Sequence, residues 1–104
     1  MISVVIPAYN EEENITKSLG AFLGQTTKLS YEIILVDNAS TDKTVEIAAK
    51  YVGKLPLKII KENKKGRGPA RRAGFTKAKG DIIFSTDADA QVPPDWIEKL
   101  GKGK

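Results

Sequence analysis

A chain of 104 residues, 40% apolar and 29% charged, can form one domain with a real core but is short for a complete α/β enzyme. It contains neither cysteine nor histidine, which excludes disulfides, thiolate or imidazole metal sites and Ser-His or Cys-His nucleophile pairs. The net charge of +4 is uneven: residues 1–50 carry four Lys against seven acids, residues 51–104 thirteen Lys or Arg against six.

Ile2 to Ala8 is an apolar run that reads as a buried strand, with Pro7 ending its ladder. Asn10 is placed to cap a following helix, with Glu11, Glu12 and Glu13 in a first turn where the macrodipole favours acids. Ile15, Leu19, Phe22 and Leu23 give that helix an apolar stripe to about Gln25. Tyr31 to Val36 predicts a second strand that stops at Asp37. Ser40 or Thr41 then caps a second helix with Val45, Ala48, Ala49 and Val52 facing inward, closed by Gly53.

Leu57 to Ile60 is a short third strand, and Glu62 to Gly68 a polar loop. Pro69 suits the first turn of a third helix whose close-packing side is Ala70, Ala73, Gly74 and Ala78. Asp81 to Thr86 is the fourth strand, followed by a brief helix from Asp95 to Leu100 and a frayed tail over 101–104. Residues 1–100 thus form the expected domain. Strands alternating with helices predict a three-layer α/β fold, a mostly parallel sheet with helices on both faces.

No apolar run approaches the roughly 18–20 residues of a membrane span. Met1 leads into a strand without a basic leader, so no signal peptide is expected. The expected location is cytoplasmic, with peripheral membrane attachment as its variant. Between Lys58 and Lys79 nine cations face only Glu62, which points to an anionic partner or a solvated surface. That segment has only Phe75 as an aromatic and matches no recognised module, so nucleic acid is not the expected partner.

Ligands of parallel sheets bind beyond the carboxyl ends of the strands. Here those ends are Tyr9-Asn10-Glu11, Asp37-Asn38 and Asp87-Ala88-Asp89, so three polar groups are expected to gather at one edge. Carboxylates at i and i+2 leave a straight strand on one face and can share a cation. Hard oxygen ligands suit Mg²⁺ or Mn²⁺, ions that usually complete their shell with substrate phosphates. A solvated turn after the strand is the competing reading of the same two aspartates.

Pro7-Ala8-Tyr9-Asn10-Glu11-Glu12, Val36-Asp37-Asn38-Ala39-Ser40-Thr41-Asp42 and Asp87-Ala88-Asp89 together resemble the inverting family-2 glycosyltransferases of the GT-A fold. The resemblance runs through essentially the whole chain but covers only the amino-terminal, Rossmann-like, nucleotide-sugar-binding half of such an enzyme. It implies transfer of a sugar from a UDP- or GDP-type donor with Mg²⁺ or Mn²⁺.

Position by position, it implies that Ala8, Tyr9 and Glu11 line the nucleotide pocket and that Asp37 accepts a hydrogen bond from the base. It places Arg71, within Gly68-Pro69-Ala70-Arg71-Arg72-Ala73-Gly74, near the base and diphosphate. Asp87 is implied to contact the ribose and help hold the metal, and Asp89 to coordinate the ion directly. Tyr9 as an edge aromatic, Glu11 as a helix-start acid and Asp37 as a turn former are the competing structural roles.

Two departures stand out. Ala90 replaces the acid that often follows the signature, and the acceptor half that carries the catalytic base in such enzymes has no counterpart here. No catalytic residue is therefore assigned, and the chain is expected to be a truncated donor-binding part. The alternative is a non-catalytic nucleotide-binding module that self-associates through exposed apolar surface.

Overall fold

In the computed structural model, which describes residues 1–102, four strands and four helices alternate along the chain. They are β1 (Ile2–Ala8), α1 (Ile15–Leu23), β2 (Tyr31–Asp37), α2 (Thr44–Ala49), β3 (Leu57–Lys61), α3 (Arg67–Lys77), β4 (Ile82–Ser85) and α4 (Trp96–Lys102). All ladders are parallel and the strand order is β3-β2-β1-β4. The register aligns Ala8 with Asp37 and Asp37 with Lys61, so the first three strands end level at one edge.

Alternation along the central strands divides the core in two. Ile2, Val4, Ile6 and Ala8 of β1, with Ile33 and Leu35 of β2, pack against Ile15, Leu19 and Phe22 of α1, Ala48 of α2 and Ile97 of α4. Phe22 meets Trp96 edge-on at 6.0 Å between ring centroids, the arrangement their quadrupoles favour. The opposite face is thinner: Val5, Ile34 and Val36 lie against Ala70 of α3, with Ile60, Ala73 and Ala78 at its margin. Small residues line the inner side of α3 because the helix approaches the sheet closely.

The described architecture is the expected three-layer α/β fold, with several boundaries moved. α1 starts at Ile15 because Asn10 takes a left-handed conformation, φ 51°, and Glu11–Asn14 form a turn whose Glu11 carbonyl accepts from the amides of Asn14 and Ile15. The three glutamates therefore precede the helix. Leu23 at its end is 52% exposed and leaves the apolar stripe.

α2 begins at Thr44, so neither Ser40 nor Thr41 caps it. Ala49 and Val52 are exposed, and the inward positions are Thr44, Ile47, Ala48 and Tyr51. Gly53 lies in the turns beyond the helix rather than at its cap. α3 starts two residues before Pro69, after Gly66 at φ 127°. α4 continues through Gly101 and Lys102, part of the segment expected to fray, while residues 103 and 104 lie outside the described residues.

β4 also ends earlier than expected. Ser85 is level with Val5 of β1, and the Ala90 amide donates to the Asp87 carbonyl at 3.1 Å, closing a turn. Asp87 and Asp89 thus flank the buried Ala88 within a turn rather than leaving a straight strand side by side.

Gly74 marks the closest approach of α3 to the sheet. A Cβ built there would lie 2.3 Å from Val5 Cγ1 and 3.1 Å from Val36 Cγ2, both on fully buried side chains. Gly74→Ala is expected to lower the unfolding free energy by about 1–3 kcal/mol through overpacking. Urea unfolding of the two proteins measures the difference.

Candidate functional site

Loops at the carboxyl edge of a parallel sheet carry backbone amides that no ladder satisfies. Short polar side chains satisfy them here. The Asn10 amide donates to Ser40 Oγ at 3.0 Å, and Asn10 Oδ1 accepts from the Thr41 amide at 2.8 Å. The Glu11 amide donates to Thr44 Oγ1 at 2.8 Å, and the Glu12 amide to Asp42 Oδ2 at 3.2 Å. Asp42 Oδ1 accepts from both the amide and the hydroxyl of Thr44. The β1–α1 and β2–α2 loops are thereby tied into one unit.

Burial pushes the Asp42 carboxyl upward. The hydrogen bonds from the Thr44 hydroxyl and from the amides of Thr44, Glu12 and Asp42 itself outweigh that and hold it below its ordinary 3.8. The aspartate is kept ionised by the loops it joins.

A third loop is attached by Asn38, which is 6% exposed. Its Nδ2 donates to the carbonyls of Glu62 and Lys64 at 2.9 and 3.0 Å, and its Oδ1 accepts from the Gly66 amide at 2.9 Å. One side chain thus fixes the segment that leads into α3. Its left-handed neighbour Ala39, φ 60°, lets the chain turn away immediately.

Together these loops wall an open cavity of about 420 Å³ lined by Pro7, Ala8, Tyr9, Glu11, Asn38, Lys65, Gly66, Arg67 and Ala70. Ala8 forms its floor, 2% exposed, and Tyr9 stands at its rim with Lys65 Nζ 5.9 Å from the ring centroid. Glu11 accepts from Asn14 Nδ2 at 3.1 Å. At the start of α3 the amides of Arg67 and Gly68 have no helical acceptor, which adds a positive dipole end to the two cationic side chains.

Of the residues singled out from the sequence, Ala8, Tyr9 and Glu11 line the cavity. Asp37 is buried beside them on the ladder and accepts from the Ser40 amide at 3.3 Å, the turn-forming role. Arg71 does not line the cavity; it borders a shallow depression with Gly68, Arg72, Phe75 and Thr76.

Lys65 and Arg67 are cavity residues that the sequence motifs do not single out, and Arg67 has a further contact. Its Nη2 lies 3.9 Å from Asp87 Oδ1, a link between cavity and aspartate turn. Both partners are well exposed, so the pair itself contributes little stability. The start of α3 two residues before Pro69 is what puts Arg67 there.

Asp87 and Asp89 are exposed acids on one turn, and no group of three or more metal-ligating residues occurs among the described residues. Two carboxylates are too few for a cage made by protein alone. They fit Mg²⁺ or Mn²⁺, which commonly take one or two carboxylates and draw their other ligands from substrate phosphates.

A parallel α/β fold with a cationic cavity beside an Asp-x-Asp turn defines the class, and comparison with known proteins identifies the family. The family described as glycosyl transferase family 2 matches residues 3–102, and the chain belongs to it. It is 42% identical over 100 residues to a dolichol-phosphate mannosyltransferase of Pyrococcus furiosus, covering 95% of this chain and 28% of that relative.

Among solved structures, S. aureus TarS 1–349 in complex with UDP superimposes with a TM-score of 0.90 at 31% identity, over 97% of this chain and 31% of that one. The mannosyltransferase PcManGT from Pyrobaculum calidifontis, in complex with GDP-Man and Mn²⁺, gives 0.81 at 31% identity, over 88% and 28%. The fold is the expected GT-A type, and the chain spans less than a third of the length of these relatives.

Asn38→Ala removes three hydrogen bonds of a buried side chain and is expected to cost about 1–3 kcal/mol. Hydrogen exchange should accelerate most over residues 62–66; uniform acceleration across the chain would contradict the local role of Asn38. The Asp42 carboxyl, lowered in the folded state, stabilises fully above its ordinary 3.8, and that contribution is lost as pH falls through the lower folded value. Asp42→Asn should therefore flatten the acid side of the urea-midpoint profile while lowering stability near neutrality.

Proposed function

We propose that the chain forms the donor-binding part of a metal-dependent glycosyltransferase that takes a UDP- or GDP-linked sugar and transfers it with inversion. The observation that carries this reading is a cavity walled by the β1 end and the start of α3, tied through Arg67 to the Asp87 turn. Cationic side chains, free helix amides and an acidic turn in one place suit a nucleoside diphosphate whose phosphates bridge protein cations and a metal ion. Complexes of the two structural neighbours with UDP and with GDP-Man and Mn²⁺ support it.

In this reading Tyr9 packs against the base and Glu11 accepts from the ribose or base. The carboxylate oxygen of Asp37 that does not bind Ser40 accepts from the base. Lys65, Arg67 and the first-turn amides of α3 hold the diphosphate, with Arg71 placed to reach it only if its side chain turns toward the cavity. Asp87 and Asp89 hold the metal, which when bound neutralises charge on the departing diphosphate.

The bond that breaks joins the sugar's anomeric carbon to the diphosphate oxygen, so charge accumulates where these cations are gathered. The acceptor hydroxyl or phosphate oxygen needs its own activation, and no residue described here is assigned to that step. A lipid-linked phosphate is the acceptor class that the dolichol-phosphate relative supports. No helix among the described residues is long and apolar enough to cross a membrane, so contact with such an acceptor is proposed to be peripheral.

Calorimetric titration of UDP and GDP, each with and without Mn²⁺, tests this reading. At least one nucleotide should bind about tenfold more tightly with the metal, equivalent to about 1.4 kcal/mol. Asp89→Ala should erase the metal enhancement, and Arg67→Ala should weaken nucleotide binding in both conditions. Failure of both nucleotides to bind in the presence of Mn²⁺ would overturn it.

A further inference from the structure

The outer side of α3 is not used by the cavity. α3 is the only helix on its face of the sheet among the described residues, since the clusters against α1, α2 and α4 all lie on the other. Its buried side is Ala70 and Gly74, which turns Arg72, Phe75 and Thr76 to solvent.

Beside it, Lys61 and Lys64 from β3 and the following loop join Arg72 and Lys77 around an open groove of about 620 Å³. Glu62 is the one acid in its lining, and that carboxylate already accepts from the Lys64 amide at 3.0 Å. None of the four cations has a carboxylate within salt-bridge distance among the described residues.

Uncompensated charge of this density repels itself in the free protein and is relieved by an anionic partner. Phe75 identifies the kind of partner. It stands 44% exposed beside Arg71 and Arg72, lining the depression next to the groove. No buried cluster includes it. An exposed aromatic flanked by two arginines and next to a cationic groove matches a surface that is charged outside and apolar beneath, where the ring enters the interface and the long cationic side chains stay at headgroup level. A nucleic-acid strand would instead need successive aromatics for stacking along a groove, which this face lacks.

We propose that the outer face of α3, with Lys61 and Lys64, is a docking surface for an anionic phospholipid membrane. The surface is separate from the donor cavity, and its test does not depend on nucleotide binding. Attachment through it would keep the protein at the membrane by electrostatics and one inserted ring, without a spanning helix.

Flotation of the full chain with vesicles of phosphatidylcholine alone, or of phosphatidylcholine mixed with phosphatidylglycerol, tests this. Binding is expected to the mixed vesicles only, and to be lost between about 0.1 M and about 1 M salt as the screening length falls from ~10 to ~3 Å. Each cation removed should weaken partitioning about fivefold, so the double variant Arg72→Ala, Lys77→Ala should lose more than tenfold.

Phe75→Ser should weaken binding severalfold with charge unchanged, whereas Lys17→Ala and Lys50→Ala, on the opposite side of the sheet, should leave it intact. Urea midpoints near that of the parent show that the exposed variants remain folded. Equal binding to neutral vesicles, no binding to either, or loss from the Lys17 and Lys50 variants equal to that from Arg72 and Lys77 would overturn the proposal. So would preference for random-sequence RNA over the mixed vesicles in direct competition.

Discussion

Everything at the carboxyl edge of this sheet depends on how unladdered backbone amides find acceptors without filling the space above the strands. Asn10, Ser40, Asp42 and Thr44 do this with short side chains that reach across from one loop to the next. Apolar replacements would untie the two loops and leave the part-buried Glu11 amide without its Thr44 acceptor. The cost appears in the backbone: Asn10 and Ala39 both adopt positive φ so that the two chains can turn sharply enough to meet. Asn38 repeats the solution toward the third loop, committing both amide hydrogens and its carbonyl oxygen to the segment before α3.

The opposite edge solves a smaller version of the same problem. Glu32 accepts from Ser3 Oγ at 2.6 Å and from the Lys79 amide at 2.7 Å, while the Gly80 amide donates to Ser3 Oγ at 2.8 Å. Burial raises the Glu32 carboxyl, but the Lys79 amide, Ser3 and the nearby Lys58 and Lys79 charges together bring it below its ordinary 4.5. An ionised carboxylate therefore anchors the entry to β4, and Gly80 is required there because a Cβ would lie 2.7 Å from the Met1 carbonyl. With both ends pinned, the distance between the β1 end and the Asp87 turn is set by the sheet rather than by loop flexibility.

Apolar runs made the strands readable, since Ile2 to Ala8 and Tyr31 to Asp37 are buried on both faces and have no other place to go. Convergence of three strand ends followed from parallel topology alone. The loops were less legible because their residues serve competing local rules. Asn10 fits a helix cap as well as a left-handed turn, and only Thr41 and Ser40, thirty residues away, decide between them. Nothing in the sequence marks Asn38 beyond its place at the second strand end, because its partners at 62–66 are remote in sequence. Asp87 and Asp89 obey strand alternation on paper, yet β4 stops at Ser85 and a turn takes over. Pro69 marks the start of α3 two residues too late, which leaves Arg67 in the preceding loop when only the sequence is read.

α3 joins these observations. Its inner side is reduced to Ala70 and Gly74 by close contact with Val5 and Val36. That closeness brings its first turn down to the level of the strand ends, where Arg67 meets both the cavity and Asp87. A helix packed through small residues has little apolar surface to bury, so its remaining positions are free to carry charge. In this chain Arg72 and Lys77 occupy positions along the groove, with Phe75 exposed alongside. The same helix therefore serves the cavity with its amino end and presents a separate cationic surface along its length. Of the thirteen basic residues after position 50, α3 carries Arg67, Arg71, Arg72 and Lys77, and Lys61, Lys64 and Lys65 lie on the strand and loop that lead into it.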